Sequence, residues 1–180
     1  MTENETAVFS IHISGTKEAV WRELVQTDGP QDALYHTILH TTGLEPGASY
    51  QMRTPNARYV NTIGEILEYD PPNRLKQTVR FVRFDDPPAT ATYELVDAPD
   101  GGVELTLTLE NLPAGTKSAK GWKGSGGGEF VVNTLKQIVE DGHASRSTRW
   151  MYRFFDVFAP VLAPLATPKR TRVEHWPLGD

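Results

Sequence analysis

GWKGSGGGEFVVNTLKQIVEDG, residues 121–142, is the stretch on which the fold turns. Its second half places Phe130, Val131, Thr134, Leu135, Ile138 and Val139 on one stripe at helical spacing, and Gly142 suits the left-handed position that ends a helix. A helix with one apolar stripe must bury it. The rest of the chain offers one surface large enough, an antiparallel sheet.

That sheet is read from alternation and turns. Residues 8–14, VFSIHIS, put Phe9, Ile11 and Ile13 on one face and Ser10, His12 and Ser14 on the other. Gly15-Thr16 interrupts the strand, and Thr16 can cap a short helix whose stripe is Ala19, Val20, Trp21 and Leu24, ending near Thr27–Pro30. Residues 48–54, 58–69, 74–84, 89–97 and 102–111 read as successive strands, punctuated by Pro55-Asn56, Asp70–Asn73, Asp85–Pro88 and Ala98–Gly102. Connections that short imply a meander. Residues 31–43 are ambiguous on their own: Asp32, His36 and His40 share a helical spacing, whereas Thr37, Ile38, Thr41 and Thr42 favour a strand.

The glycines ahead of the long helix admit several readings. No Lys-Ser/Thr follows them as in a phosphate loop, and the pattern G-x-G-x-x-G fails at Glu129. Each Gly inside a helix costs about 0.8–1 kcal/mol against Ala. Either the helix starts late, near Ser125 or Glu129, or the missing side chains leave a void or a movable first turn beside the sheet.

The totals bound the remaining possibilities. The chain has 180 residues, 38% hydrophobic and 23% charged, enough for one folded domain. A net charge of −5 argues against general nucleic-acid affinity. Residues 143–180 carry six Lys/Arg against three Asp/Glu, a local +3, which leaves −8 on residues 1–142. With no cysteine there is no disulfide, thiolate metal site or thiol nucleophile. The start, MTENETAVFS, lacks a secretory pattern. Trp150–Ala166 contains Arg153, Asp156, Pro160 and Pro164 and is too short for a membrane span, so a cytoplasmic protein is expected.

The element order resembles the SRPBCC or START-like superfamily, and within it the group of activator of heat-shock-protein ATPase homologues. The resemblance rests on IHISGTKEAVWREL (11–24), GEILEYDPPNRLKQT (64–78), ATYELVDAPDGGVELTLTLENLP (91–113) and GWKGSGGGEFVVNTLKQIVEDG (121–142). It implies an α+β helix-grip fold, with a curved antiparallel sheet wrapped around the long C-terminal helix, and it makes residues 36–42 a strand. A START-like domain would cover residues 1–143, with 144–180 an extension. Bulkier residues are commoner in that group at the glycine cluster.

The resemblance also implies a largely apolar cavity between sheet and helix. Its expected lining is Trp122, Gly127 and Phe130 from the helical side and Tyr93, Gln77, Val79, Phe81 and Leu107 from the strands. Leu75, Gln77, Val79 and Phe81 share a face by alternation, so Gln77 is either an orienting polar contact or an edge residue facing water. Tyr93 and Trp122 serve equally as core aromatics.

Little in the sequence demands catalysis. On a helix Asp32, His36 and His40 could share a metal; on a strand the two histidines stand about 13 Å apart, too far for one ion. Glu65 and Glu68 fall on opposite strand faces. The expectation is a binder of an apolar or amphipathic small molecule, without cofactor or metal. The alternatives are a polyketide cyclase/dehydratase-like enzyme or a co-chaperone-like interaction module. In the extension, Trp150, Phe154, Val157 and Phe158 lie near one helical face, close to Arg146, Arg149 and Arg153. Such a helix can rest on a membrane surface or pack on the domain or on a partner subunit as a homodimer contact. Trp176 is a candidate anchor for a proline-rich end that wraps the domain.

Overall fold

The computed structural model describes residues 4–124, 126–166 and 168–178. Seven strands form one antiparallel sheet: β1 (Asn4–Ile13), β2 (Ile38–Thr41), β3 (Ser49–Arg53), β4 (Val60–Asp70), β5 (Arg74–Phe81), β6 (Ala89–Asp97) and β7 (Val103–Pro113). Their order is β1-β7-β6-β5-β4-β3-β2, a meander with the first strand returned beside the last. Register shifts at Glu5/Ala7, Met52/Arg53 and Ile66/Glu68 mark irregularities of the kind that bend strands, and the sheet is curved. The fold is therefore the expected α+β helix-grip arrangement.

Alternation sets the two faces. Phe9 pairs with Leu107 and Ile11 with Leu105 on the inner face. On the outer face Ser10 bonds the Thr106 hydroxyl at 3.0 Å and His12 meets Glu104 at 2.9 Å. Burial on the inner face is complete along β7, where Leu105, Leu107 and Leu109 are all 0% exposed. Helix α1 (Lys17–Val25) begins at Thr16, whose hydroxyl accepts from the Ala19 amide, and it buries Val20, Trp21 and Leu24.

After β7 come a single turn, α2 (Lys117–Ala119), and a π-helical turn at Lys120–Gly124. The long helix α3 (Gly127–Asp141) follows and buries Val131, Val132, Thr134 and Leu135, with Gly142 as its left-handed C-cap at φ 77°. It starts at Gly127, earlier than Glu129; the other start considered, Ser125, lies outside the described residues.

Gly127 and Gly128 are needed for close contact, whereas a Cβ on Gly121 or Gly124 would meet no atom within 4 Å. A Cβ on Gly128 would fall within 2.5 Å of atoms of the Phe9 ring. One on Gly127 would meet the Gly121 carbonyl oxygen at 2.7 Å and the Tyr35 hydroxyl at 2.8 Å. The first turn of α3 thus sits directly on β1, and its bare side is filled by neighbouring rings. Gly126 takes φ 70°, a left-handed backbone that favours glycine.

The extension is built onto the domain. Helix α4 (Arg146–Ala166) leaves α3 through a buried Ala144, and the Ser145 amide donates to Gln137 at 3.0 Å. Beyond it, single turns at Lys169–Thr171 and Val173–His175 lie along β3–β5. Arg172 bridges to Tyr59, Arg170 binds Asp85 at 2.8 Å, and Gln51 donates to the Trp176 carbonyl at 2.7 Å. The Trp176 indole donates to the Arg170 carbonyl at 2.6 Å, and the Arg80 guanidinium lies 5.7 Å over its ring.

Candidate functional site

A cleft of about 1020 Å³ opens where five pieces of chain meet: the segment Tyr35–Thr37, the β3–β4 turn, the end of β5, the α2–π turn and α3 start, and α4. Pockets for small molecules typically hold about 300–1,000 Å³, so this one is at the roomy end. Buried groups such as Trp122, Ser118 and Tyr152 line its depth, while exposed Pro55, Asn56, Met151 and Phe155 form its rim.

The lining is mostly rings, each held by a neighbour. Phe81 packs against Trp122 at 5.6 Å and edge-on to Phe84 at 6.5 Å between centroids. Tyr35 stacks on Phe130 at 5.5 Å and donates its hydroxyl to the Gly127 carbonyl at 3.3 Å. Burial pushes the Tyr35 phenol up to about 12, so it stays a neutral donor.

One end of the cleft is polar. His36 Nδ1 lies 2.6 Å from Asp32 Oδ1 and Nε2 lies 3.2 Å from Asp156 Oδ2, and the imidazole stacks on Tyr152 at 4.6 Å. The hydrogen bond to Asp32 raises the His36 pKa above the ordinary histidine value; burial opposes this and Asp156 adds to it. The Tyr152 hydroxyl donates to the Asp32 backbone carbonyl at 2.9 Å, and burial raises its phenol too. Body and α4 therefore meet at an imidazole held between a carboxylate from each.

The backbone here is strained. Tyr35 and His36 have φ 61° and 55°, values that side-chain-bearing residues seldom adopt and that cost of order 1–3 kcal/mol each. Buried Gln31 holds the turn. Its amide bonds the Thr37 carbonyl at 2.8 Å and its side chain donates to the Glu23 and Gln26 carbonyls at 3.2 Å each, while its own carbonyl accepts from Leu34 and His36. The strand expected over 36–42 accordingly begins only at Ile38. His36 stands outside it and shares no strand face with His40.

Of the eight expected lining residues, Trp122, Gly127, Phe130 and Phe81 come together on the cleft wall. The other four do not. Tyr93 and Leu107 pair with each other in one cross-strand row with Phe9, and at 2% and 0% exposure they are core. Val79 is buried beside Ala89. Gln77 lies half-buried between Ile66 and Ala91 on a strand interior to the sheet, so it is neither a cleft contact nor an edge residue. Tyr93 and Leu107 lie in the row of Phe9, the ring against which α3 sits at Gly128, and the cleft opens instead at the end of β5. The sequence reading omitted Tyr35, Tyr59, Phe84 and the α4 residues Met151, Tyr152, Phe155 and Asp156. The spacing of Asp32 and His36 was visible, but their link to Asp156 spans 120 residues and leaves no local trace.

Among solved structures, the chain is similar in fold to CalU16 from Micromonospora echinospora, at 17% identity and a TM-score of 0.59, covering 79% of this chain and 70% of that one. It is similar also to the Aha1 dimer from Colwellia psychrerythraea, at 14% identity and a TM-score of 0.59, covering 76% and 96%. PFC0360w, an HSP90 activator from Plasmodium falciparum, matches at 15% identity and a TM-score of 0.50, covering 67% and 88%. At such identities the likeness is one of fold. Comparison with curated proteins gave no match. Residues 8–140 match the family described as Activator of Hsp90 ATPase homolog 1-like protein, which takes in the sheet, α1 and nearly all of α3, and the chain belongs to that family.

Proposed function

We propose that the chain binds an apolar or amphipathic small molecule, aromatic or lipid-like, in the cleft beneath α4. The observation that carries this reading is the cleft itself: about 1020 Å³ bounded mainly by ring faces, with polar groups at His36 and Asp156 on one side and at Lys117, Ser118, Thr54 and Asn56 elsewhere on its wall. Ring faces supply apolar area, and the few polar groups between them orient a ligand that is apolar along most of its length. Both imidazole nitrogens of His36 already face carboxylates, so binding is favoured over catalysis.

The test uses Gly121, which lines the cleft and whose added Cβ would meet no atom within 4 Å. Gly121→Leu places an isobutyl group in open cleft space without a backbone conflict. Titration with the amphipathic dye 8-anilinonaphthalene-1-sulfonate and with palmitate is expected to show micromolar binding to the wild type. G121L should weaken it at least tenfold with an unchanged circular-dichroism spectrum. Equal binding by both proteins, or by neither, overturns the reading.

A second reading, stimulation of a chaperone ATPase, draws on the family description and on the activator named among the similar structures. It predicts that the purified chain raises the ATPase rate of Hsp90, and G121L should leave that effect intact.

A further inference from the structure

Helix α4 divides into rows of residues four apart, which stack along one face. Thr148, Tyr152 and Asp156 form the row turned to the body, shown by the contacts of the last two with Asp32 and His36. Met151 and Phe155 form the row beside it, on the cleft. The remaining two rows, Arg146–Trp150–Phe154–Phe158 and Arg149–Arg153–Val157, are exposed. Trp150 is 71% exposed, Val157 63%, Phe158 44% and Phe154 42%. Trp150 stacks on Phe154 at 5.9 Å and Phe154 on Phe158 at 4.5 Å, so the rings form a continuous ladder in solvent. A contiguous apolar patch on a monomer surface marks a contact surface.

The charges select the partner. Among the described residues, Arg146, Arg149 and Arg153 form no ion pair, although the chain as a whole carries −5. Asp156 is the one acid on α4, and it is engaged with His36. Pairing α4 with α4 of a second copy would bring six guanidiniums together with no free carboxylate on either helix. The ladder and its arginines call for a surface that is both apolar and anionic. With −8 on residues 1–142, such a surface repels the body and accepts only this face.

We propose that α4 docks the protein onto an anionic lipid bilayer, lying in the interface plane with Trp150, Phe154 and Phe158 in the acyl boundary and the three arginines on the lipid headgroups. Tryptophan and phenylalanine beside arginine on a helix that lies on the membrane have this chemistry, and arginine stems can stay among the apolar groups while their heads reach phosphate. No described helix is long and apolar enough to cross a membrane, which agrees with surface binding. The docking does not depend on what the cleft holds.

The test is cosedimentation of the full chain with vesicles. One set is phosphatidylcholine alone; the other contains three parts in ten phosphatidylglycerol. The wild type should sediment with the anionic vesicles, remain in solution with the neutral ones, and be released at 0.5 M salt. Each basic residue near such a surface contributes roughly fivefold, so R146Q/R149Q/R153Q should lower partitioning about 100-fold. W150A/F154A changes only exposed side chains, so a folded control is assured, and it should abolish binding while G121L leaves it unchanged. The Trp150 emission should shift to the blue on anionic vesicles. Failure to bind them, equal binding to neutral vesicles, or wild-type binding by either multiple variant overturns the proposal. A dimer in light scattering that W150A/F154A converts to a monomer also overturns it, by assigning the face to a second copy.

Discussion

Replacing Gly128 by alanine tests the packing on which the whole site rests. The new methyl would lie within 2.5 Å of Phe9 ring atoms, whereas carbon atoms in contact settle at about 3.5–4.0 Å. Either the ring or the start of α3 must therefore move by more than about 1 Å. Overpacking of this kind costs about 1–3 kcal/mol. Alanine's better helix propensity offsets up to about 1 kcal/mol of it. The net loss should be about 1–2 kcal/mol, a fall in Tm of about 2–8 °C for a chain of this length. Calorimetry on G128A, with G121A as the control, measures it. An alanine at 121 meets no atom within 4 Å, so G121A should melt at or above the wild type. Because the clash is with one ring, F9L should remove most of the cost of G128A in a double-mutant cycle. If G128A melts as high as G121A, the argument that glycine is needed for the approach of α3 to β1 is wrong.

The polar clasp between body and α4 gives two further expectations. The His36 pKa is raised in the folded protein, so its contribution to stability is fully present below about 6.5 and is lost as pH rises through the higher folded value. Thermal unfolding of the wild type should therefore lose stability above neutrality relative to His36→Gln, and parallel pH profiles for the two proteins would refute the clasp. Tyr152→Phe removes one hydrogen bond to the Asp32 carbonyl, worth about 0.5–1.5 kcal/mol. It should speed hydrogen exchange in α4 several-fold while leaving the amides of β6 and β7 unchanged.

The sheet was legible because its information is local. Val103–Glu110 alternates cleanly, and paired prolines and glycines mark the turns. The long helix was legible for the same reason, down to its Gly142 cap. The glycine run was not, since what decides it is a ring more than a hundred residues earlier. Phe9 reads from sequence as one more inner-face residue, and nothing in its neighbourhood says that a helix backbone will press against it. His36 falls outside the strand expected over 36–42 because only the β-branched residues after it are real strand formers, and the left-handed backbone before them depends on Gln31 reaching back to α1. Half of the expected cleft was found through Trp122, Gly127, Phe130 and Phe81. The rest of the wall comes from the Tyr35–Thr37 segment, the β3–β4 turn, Phe84, the α2 turn and α4, whose seat on the body is fixed by contacts that periodicity does not encode.

The anchoring of the extension at both ends limits how the pocket can be entered. Ser145 is pinned to Gln137 before α4, and Arg170, Arg172 and Trp176 are clamped to the sheet after it. A segment fastened like the handle of a bucket cannot swing out as a free arm. A displacement of α4 that lifts Tyr152 away from Asp32 would carry Met151 and Phe155 with it and widen the cleft while both ends of the segment stay held.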